Sequence, residues 1–354
     1  MPGRATARVD VGAIERNCAR LAELAPLCAV VKANGYGHGA YEAALAAQRG
    51  GAAWLAVATA GEAVALRDAG IAGPLLVMGA LSASELDMAV ACGADIVAWR
   101  PEFVARLKGR DVGVHVKLDT GMGRLGTRDP EEAERVAQAA ADTPGVRLAG
   151  VMTHFATSDD DPEFMAEQLD RFIPWADRFG VMRHAANSAA ALGNPAARLD
   201  LIRCGIAIYG MDPFHRDPAE HGLEPALELV SYVAEVKLAR AGESAGYGRR
   251  FIAEQDTWIA TVPIGYGDGV RRGLTNTGTE VLVGERRVPI AGTVSMDNIT
   301  LDLGDEPVAR GAEVVLIGQR GDQRVLAEDM ARALGTINYE ITCGLTARVP
   351  RSYD

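Results

Sequence analysis

The sequence predicts an α/β protein: an N-terminal (β/α)8 TIM-like barrel over residues 11–227, followed by a mostly-β domain over residues 228–354. Three observations predict it. Eight short apolar runs alternate with Ala-rich amphipathic stretches as far as Gly210, the arithmetic of a closed barrel, whereas an open doubly wound sheet uses fewer repeats. After about Leu227 the texture changes to alternating or β-rich runs broken by Gly and Asp. Charged and polar residues also recur at the ends of the apolar runs, where barrel strands present their sites.

The first ten residues, "MPGRATARVD", alternate in polarity and are expected to add a strand to the β-rich domain. The barrel strands then read in order as "LCAVVK", "WLAVATA", "PLLVMG", "ADIVAW", "VGVHVKLD", "VRLAGVMTHF", "MRHAANS" and "LIRCGIAIYG". Between most of them lie helical stretches: "GAYEAALAAQRG", "AGEAVALRDAG", "SASELDMAVACG", "DPEEAERVAQAAADTPG" and a long one opening at "DPEFMAEQLDRF". In the second domain, "LVSYVAEVKLARAGESAGYG", "DTWIATVPIGYGDG", "TEVLVGERRVPIAGTVSMDNITLDLG" and "AEVVLIG" read as strands, with "AEDMARALG" the one helix expected.

Composition narrows the function. Thirty-six Lys and Arg against 47 Asp and Glu leave a formal charge of -11, which disfavours a general nucleic-acid or anionic-membrane surface. No apolar run approaches a membrane span, and "MPGRATARVDVGAIERN" lacks the apolar core of a signal peptide, so a cytoplasmic address is expected. The five cysteines, Cys18, Cys28, Cys92, Cys204 and Cys343, form no C-x-x-C pair. They read as small core residues, with neither a disulfide framework nor a metal site signalled.

The first strand ends on Lys32, with Gly35, Gly37 and Gly39 following at every second position. A lysine amine removed from water loses its preference for the charged form, and the neutral amine can attack an aldehyde. The alternate glycines let backbone turn tightly and approach a ligand, and the helix start beyond them offers N–H groups to an anion such as a phosphate. A lysine at a barrel rim can equally well reach for water. "VKLDTGMGRLG" repeats the pattern: Lys117 ends a strand, and Arg124 beyond a Gly-rich turn offers a fork of donors suited to a carboxylate. His154, His184, Asn187, Ser188, Arg203 and Gly205 all fall at or just after strand ends. Taken singly, such histidines are more often hydrogen-bonded core residues; several polar residues at successive strand ends exceed what a packed barrel interior needs.

With "VVKANGYGHG", "KLDTGMGRLG", "THFA", "ANSAA", "RCGIAIYG", "VPIGYGDG", "AGTVSMDN" and "RVPR" in this order over essentially the whole chain, the sequence resembles the alanine racemases. That resemblance implies a pyridoxal 5'-phosphate enzyme interconverting L- and D-alanine by a two-base mechanism, supplying D-alanine for peptidoglycan. It implies a homodimer with shared active sites. Lys32 matches the lysine that carries the cofactor as an imine, and Tyr36 matches a tyrosine on the cofactor phosphate. Ser188, beside Asn187, completes the phosphate cup with the backbone of Gly205 and Ile206. Arg203 matches the arginine facing the pyridine nitrogen; a guanidinium donates a hydrogen bond without releasing a proton, which limits diversion into transamination. His154 matches a histidine linking that arginine towards the second base.

That second base is Tyr266, implied to reach across the dimer into the partner's site. Lys32 then serves the D-alanine face and Tyr266 the L-alanine face. A phenol is a poor base at neutral pH unless cationic or hydrogen-bonded neighbours favour phenolate, and His154 and Arg124 are the candidates. Arg124, Met296 and Asp297 match residues around the substrate carboxylate. Lys117 matches a position that many relatives carry as a carbamylated lysine. The chain departs from some relatives at Ala347, where a tyrosine precedes "RVPR", and at Ser295, where cysteine also occurs.

Alternative readings are a racemase of broader specificity, a non-catalytic pyridoxal-phosphate binding protein, a decarboxylase of the same architecture, and a barrel enzyme without this cofactor. The second base in "IGYGDG" speaks for the racemases. A binding protein needs Lys32 and the phosphate cup but no such residue.

Overall fold

The structure, a computed structural model, describes residues 3–354; Met1 and Pro2, the start of the expected N-terminal strand segment, lie outside the described residues. The chain opens on strand β1 (Ala5–Val9) and a helix, Val11–Ala22, in which Ile14, Cys18 and Leu21 share the buried face. The eight expected barrel strands follow as β2 (Leu27–Val30), β3 (Trp54–Val57), β4 (Leu75–Val77), β5 (Asp95–Ala98), β6 (Val112–Lys117), β7 (Val146–Met152), β8 (Met182–His184) and β9 (Ile202–Cys204). They form one parallel sheet in the order β8-β7-β6-β5-β4-β3-β2-β9. The gap between β9 and β8 is bridged by Arg203 N–H to Ala186 O at 2.9 Å and Asp200 N–H to Arg183 O at 3.1 Å. Strands β2, β3 and β6 are buried almost throughout, as parallel strands covered on both faces must be.

Four of the expected helices start where their capping chemistry dictates. Thr59 with Glu62, and Ser82 with Glu85, close capping boxes at Ala60–Asp68 and Ala83–Ala91. Asp129 and Asp161 cap helices Pro130–Asp142 and Pro162–Ala176, each with proline in the first turn, where its missing N–H has no intrahelical acceptor to lose.

The β-rich unit holds β10 (Leu227–Tyr232), β11 (Glu235–Ala239), β12 (Ser244–Ala245), β13 (Phe251–Ile252), β14 (Thr257–Val262), β15 (Glu280–Val283), β16 (Arg286–Pro289), β17 (Ile299–Gly304), β18 (Glu313–Arg320), β19 (Gln323–Val325) and β20 (Arg351–Tyr353). Its largest sheet runs β16-β15-β18-β10-β1-β20, with β19 on β18; β11-β14-β17 form a second and β12-β13 a third. Strands β1 and β17 alternate buried and part-exposed residues, the mark of a sheet with one face on a core. Val230, Leu282, Val315 and Val325 make a cluster in that core. By compactness the described residues divide into Ala13–Phe214 with Ala219–Glu224, and 3–12 with His215–Pro218 and Pro225–Asp354.

Two local expectations fail. The β-rich unit carries a second helix, Asn338–Cys343, beside the expected one at Ala327–Leu334; six residues are too few to display a helical repeat in sequence. Cys343 is exposed, at the end of that helix, whereas Cys18, Cys28 and Cys204 are buried.

Candidate active site

Strand β2 delivers Lys32 to the C-terminal mouth of the barrel, and the chain then does something the glycine spacing did not specify. Five consecutive residues, Ala33, Asn34, Gly35, Tyr36 and Gly37, take positive φ between 52° and 88°. This is a left-handed turn in which three residues are not glycine, and each costs about 1–2 kcal/mol of backbone strain. Local bonds hold it: Gly35 N–H to Val31 O at 3.0 Å, Gly37 N–H to Ala33 O at 3.1 Å, and Ala33 N–H to Glu62 Oε1 at 2.7 Å.

The turn aims Tyr36 across the barrel mouth. Its ring packs on Tyr209 at 5.1 Å between centroids, and Lys32 Nζ lies 5.9 Å from the Tyr36 ring centre. A Cβ at Gly205 would sit 2.2 Å from the Tyr36 hydroxyl, so only glycine fits there. Ser188 Oγ accepts from Gly205 N–H at 3.1 Å and Ala207 N–H at 3.3 Å. Tyr36 Oη, Ser188 Oγ and the backbone at Gly205 and Ile206 are thus gathered at one place. Asn187 caps the helix Ser188–Gly193 through Ala190 N–H and donates to Ser158 Oγ at 2.8 Å.

Arg203, from β9, is buried, and its hydrogen bonds among the described residues go to neutral acceptors: Thr153 O at 2.8 Å, Ala185 O at 2.9 Å, His184 Nδ1 at 2.8 Å and His154 Nδ1 at 3.2 Å. Burial lowers its guanidinium to about 10. His154 is pushed well below the usual imidazole range by burial and then by the charges of Arg203, Lys117, Arg124 and Lys32, so it is neutral at pH 7. Lys117 is buried; desolvation, then Arg203 and Arg124, lower its amine to about 8, against the pull of Asp119. The structure therefore brings Lys32, Lys117, Arg124 and Arg203 into electrostatic reach of one imidazole. Burial pushes the Cys28 and Cys204 thiols up to about 12, which leaves both inert.

Asp119 is a residue that reading the sequence missed. Its carboxylate accepts from Gly121 N–H at 3.1 Å and from Gly123 N–H at 2.9 Å, shaping the turn that carries exposed Arg124. Burial opposes its ionisation, but the Gly123 and Gly121 amides and Arg128 outweigh this and hold the carboxyl below the usual range. An Asp two residues before Gly is the signal that could have found it.

In the β-rich unit, Tyr266 is 40% exposed and Met296 is 51% exposed, on two loops stitched by Tyr266 N–H to Ser295 O at 3.0 Å and Gly267 N–H to Met296 O at 2.9 Å. A Cβ at Gly265 would meet Ser295 O at 2.3 Å. Buried Asp268 accepts from Gly265 N–H at 2.9 Å and pairs with Arg4 at 3.3 Å and Arg348 at 3.1 Å. Arg348 also binds Asp297 at 2.6 Å. Neither Arg4, Arg348 nor Asp268 was singled out from sequence, since each lies in a different segment. Among the described residues no helix is long and apolar enough to cross a membrane, and no group of three or more His, Cys, Asp or Glu could hold a metal.

Comparison with known proteins covers both units. Residues 9–213 match the family model for the alanine racemase N-terminal domain, and residues 226–353 that for the C-terminal domain. The chain is 40% identical to alanine racemase 1 of Bacillus subtilis, over 98% of this chain and 92% of that protein. It is 42% identical to alanine racemase of Frankia casuarinae, over 99% and 96%. Among solved structures it is similar to alanine racemase from E. faecalis, with TM-score 0.93 and 35% identity over 99% of this chain and 98% of that one. It is also similar to alanine racemase from Bacillus anthracis with bound L-Ala-P, with TM-score 0.91 and 36% identity over 100% and 96%.

Proposed function

Because the chain belongs to the alanine racemase family of isomerases, we propose that it interconverts L- and D-alanine by removing the α-proton on one face and returning it on the other, with pyridoxal 5'-phosphate as cofactor. The observation that carries this reading is the cradle at the barrel mouth, where Ser188 Oγ accepts from the Gly205 and Ala207 amides, the Tyr36 hydroxyl lies where a Gly205 Cβ would sit, and Lys32 Nζ lies 5.9 Å from the Tyr36 ring centre. A lysine beside hydroxyls and amides suits an aldehyde that carries a phosphate.

The residues present fit the cofactor. Tyr36 Oη, Ser188 Oγ and the amides at Gly205 and Ile206 form a cradle that a Cβ at Gly205 would fill, and Lys32 Nζ stands beside it. When bound, the cofactor supplies an electron-withdrawing ring that lowers the cost of charge at the substrate α-carbon. Lys32 anchors it and exchanges the proton on the D-alanine face. Arg203 would donate to the ring nitrogen while keeping its own proton. Arg124, with Met296 and Asp297 of the partner, orients the substrate carboxylate. Tyr266 of one protomer serves the barrel of its partner on the L-alanine face, and the exposure of Tyr266 and Met296 suits residues that work against a second chain. On the family resemblance we assign the enzyme to the cytoplasm, supplying D-alanine for peptidoglycan.

The reading is tested by proton NMR of the protein with L-alanine in deuterated water. The α-proton signal is expected to fade as D-alanine appears in a chiral assay. No exchange from protein shown to hold its cofactor would overturn alanine as substrate.

Lys117 gives a further expectation. Below about 8 its amine is a cation beside Arg203 and Arg124; above that value it is neutral and nucleophilic. Reaction with carbon dioxide would turn a repulsive group into an attractive anion for both arginines. With 13C-bicarbonate, a protein-bound carbamate signal should appear, strengthen as pH rises through about 8, and vanish in Lys117→Met. No signal at any pH would remove the modification.

A further inference from the structure

A polar chain leaves the site through the barrel interior. Arg203 Nη1 meets His184 Nδ1 at 2.8 Å, His184 Nε2 meets His115 Nδ1 at 2.8 Å, and His115 Nε2 faces Asp95 Oδ2 at 3.4 Å. His115 and His184 are fully buried. Asp95 opens β5, at the N-terminal end of the barrel strands, and Arg147 reaches it from solvent at 3.3 Å. Room has been made for the chain. A Cβ on Gly113 would sit 2.2 Å from Asp95 Oδ2, and one on Gly150 would sit 2.7 Å from His115 Nδ1.

The protons in this chain have one consistent arrangement. A guanidinium only donates, so His184 Nδ1 accepts from Arg203 and the His184 proton lies on Nε2. That proton points at His115 Nδ1, which must accept, so the His115 proton lies on Nε2. The 3.4 Å contact is a charge contact and not an aligned hydrogen bond, and His115 Nε2 has no hydrogen-bond partner among the described residues. Asp95 is the anion available to it. Reversing His184 would set donor against donor at Arg203, and reversing His115 alone would set donor against donor at His184 Nε2; the other hydrogen bonds of Arg203 also end on neutral atoms.

We propose that Asp95 is a remote positioning residue for Arg203, acting through His115 and His184, whose tautomers and orientation it fixes as a distant counter-charge. The importance of this for the reaction rests on the assignment of Arg203 to the cofactor ring. Bonds in a buried chain polarise one another, so a change at Asp95 is felt two rings away.

The test uses the full-length protein with 15N-labelled histidine, of which there are six residues. In the wild type, His115 and His184 should each carry a protonated Nε2 and a bare Nδ1. Asp95→Asn keeps the volume and replaces a charged acceptor with a weak one. The Nε2–H resonance of His115 should move upfield and that of His184 should follow, while His38, His215 and His221 stay put. Arg147→Ala, which spares the carboxylate, should leave His184 in place. Turnover of the cofactor-loaded Asp95→Asn enzyme should fall about tenfold, as when outer partners of an orienting histidine are lost, with KM for alanine nearly constant. His115→Asn keeps an acceptor for His184 but cuts the link, so Asp95→Asn should add nothing in that background. A wild-type His115 protonated on Nδ1, or a His184 signal indifferent to Asp95→Asn, overturns the proposal. Resonances that respond while turnover stays unchanged uphold the chain and remove Arg203 from the ring instead.

Discussion

Replacing Lys32 with alanine should abolish racemisation in both directions while leaving the protein folded. The amine sits at the end of β2, beyond the buried run Leu27–Val31, and the substitution deletes a half-buried side chain without touching the backbone bonds that hold the turn after it. Thermal unfolding should shift by no more than a few degrees, the scale of about 1 kcal/mol in a protein of this size. Activity is another matter. Loss of a positioned proton-transfer group alone costs about 10²–10⁴-fold, and the same change removes the anchor for the cofactor. Lys117 cannot stand in for it, since that amine belongs to β6, where it is buried among charges of its own sign. A chiral assay of both enantiomers, read with the absorption of the cofactor-loaded protein, checks the result. A fully active Lys32→Ala enzyme would sink the assignment. Cofactor binding retained with activity lost would place the phosphate cradle at Tyr36, Ser188 and Gly205 as sufficient for holding it non-covalently.

The barrel was legible because its strands are short apolar runs with both faces covered, a signal that needs no long-range information. The polar strand ends were legible for the complementary reason: Lys32, Lys117 and Arg203 are conspicuous in apolar company. What could not be read was anything requiring two distant segments to meet. His115 looks like one more residue of "VGVHVKLD" until β8 brings His184 within 2.8 Å and β5 brings Asp95 beside it. Asp268 and Asp297 likewise depend on Arg4 and Arg348, which lie near opposite ends of the chain. The turn after Lys32 was half legible. Its glycines signalled tight backbone, but the positive φ of Ala33, Asn34 and Tyr36 follows from neighbouring bonds and not from residue type.

Tyr266→Phe should split the two directions of reaction. If Lys32 and Tyr266 work on opposite faces, removal of the phenolic oxygen takes away the base that abstracts the proton of L-alanine, and exchange of that α-proton should fall by about 10²–10⁴-fold. Exchange at the α-position of D-alanine, begun by Lys32, should survive far better, so that solvent deuterium enters D-alanine without inversion. Net racemisation is lost in both directions, because thermodynamic linkage forbids a one-way catalyst; the asymmetry lies in exchange, and NMR in deuterated water reads it for each enantiomer. Equal and small losses from both sides would end the two-base reading. The loop itself should survive the change, since it is held by backbone bonds to Ser295 and Met296 and by Asp268, none of which uses the phenol. That separation also permits a test of where Tyr266 acts. Chains carrying Lys32→Ala and chains carrying Tyr266→Ala should each be inactive, yet a mixed dimer with shared sites would regain one site holding both residues. Recovered activity on mixing requires Tyr266 to work in its partner's barrel, and no recovery despite demonstrated subunit exchange would assign both bases to the same chain.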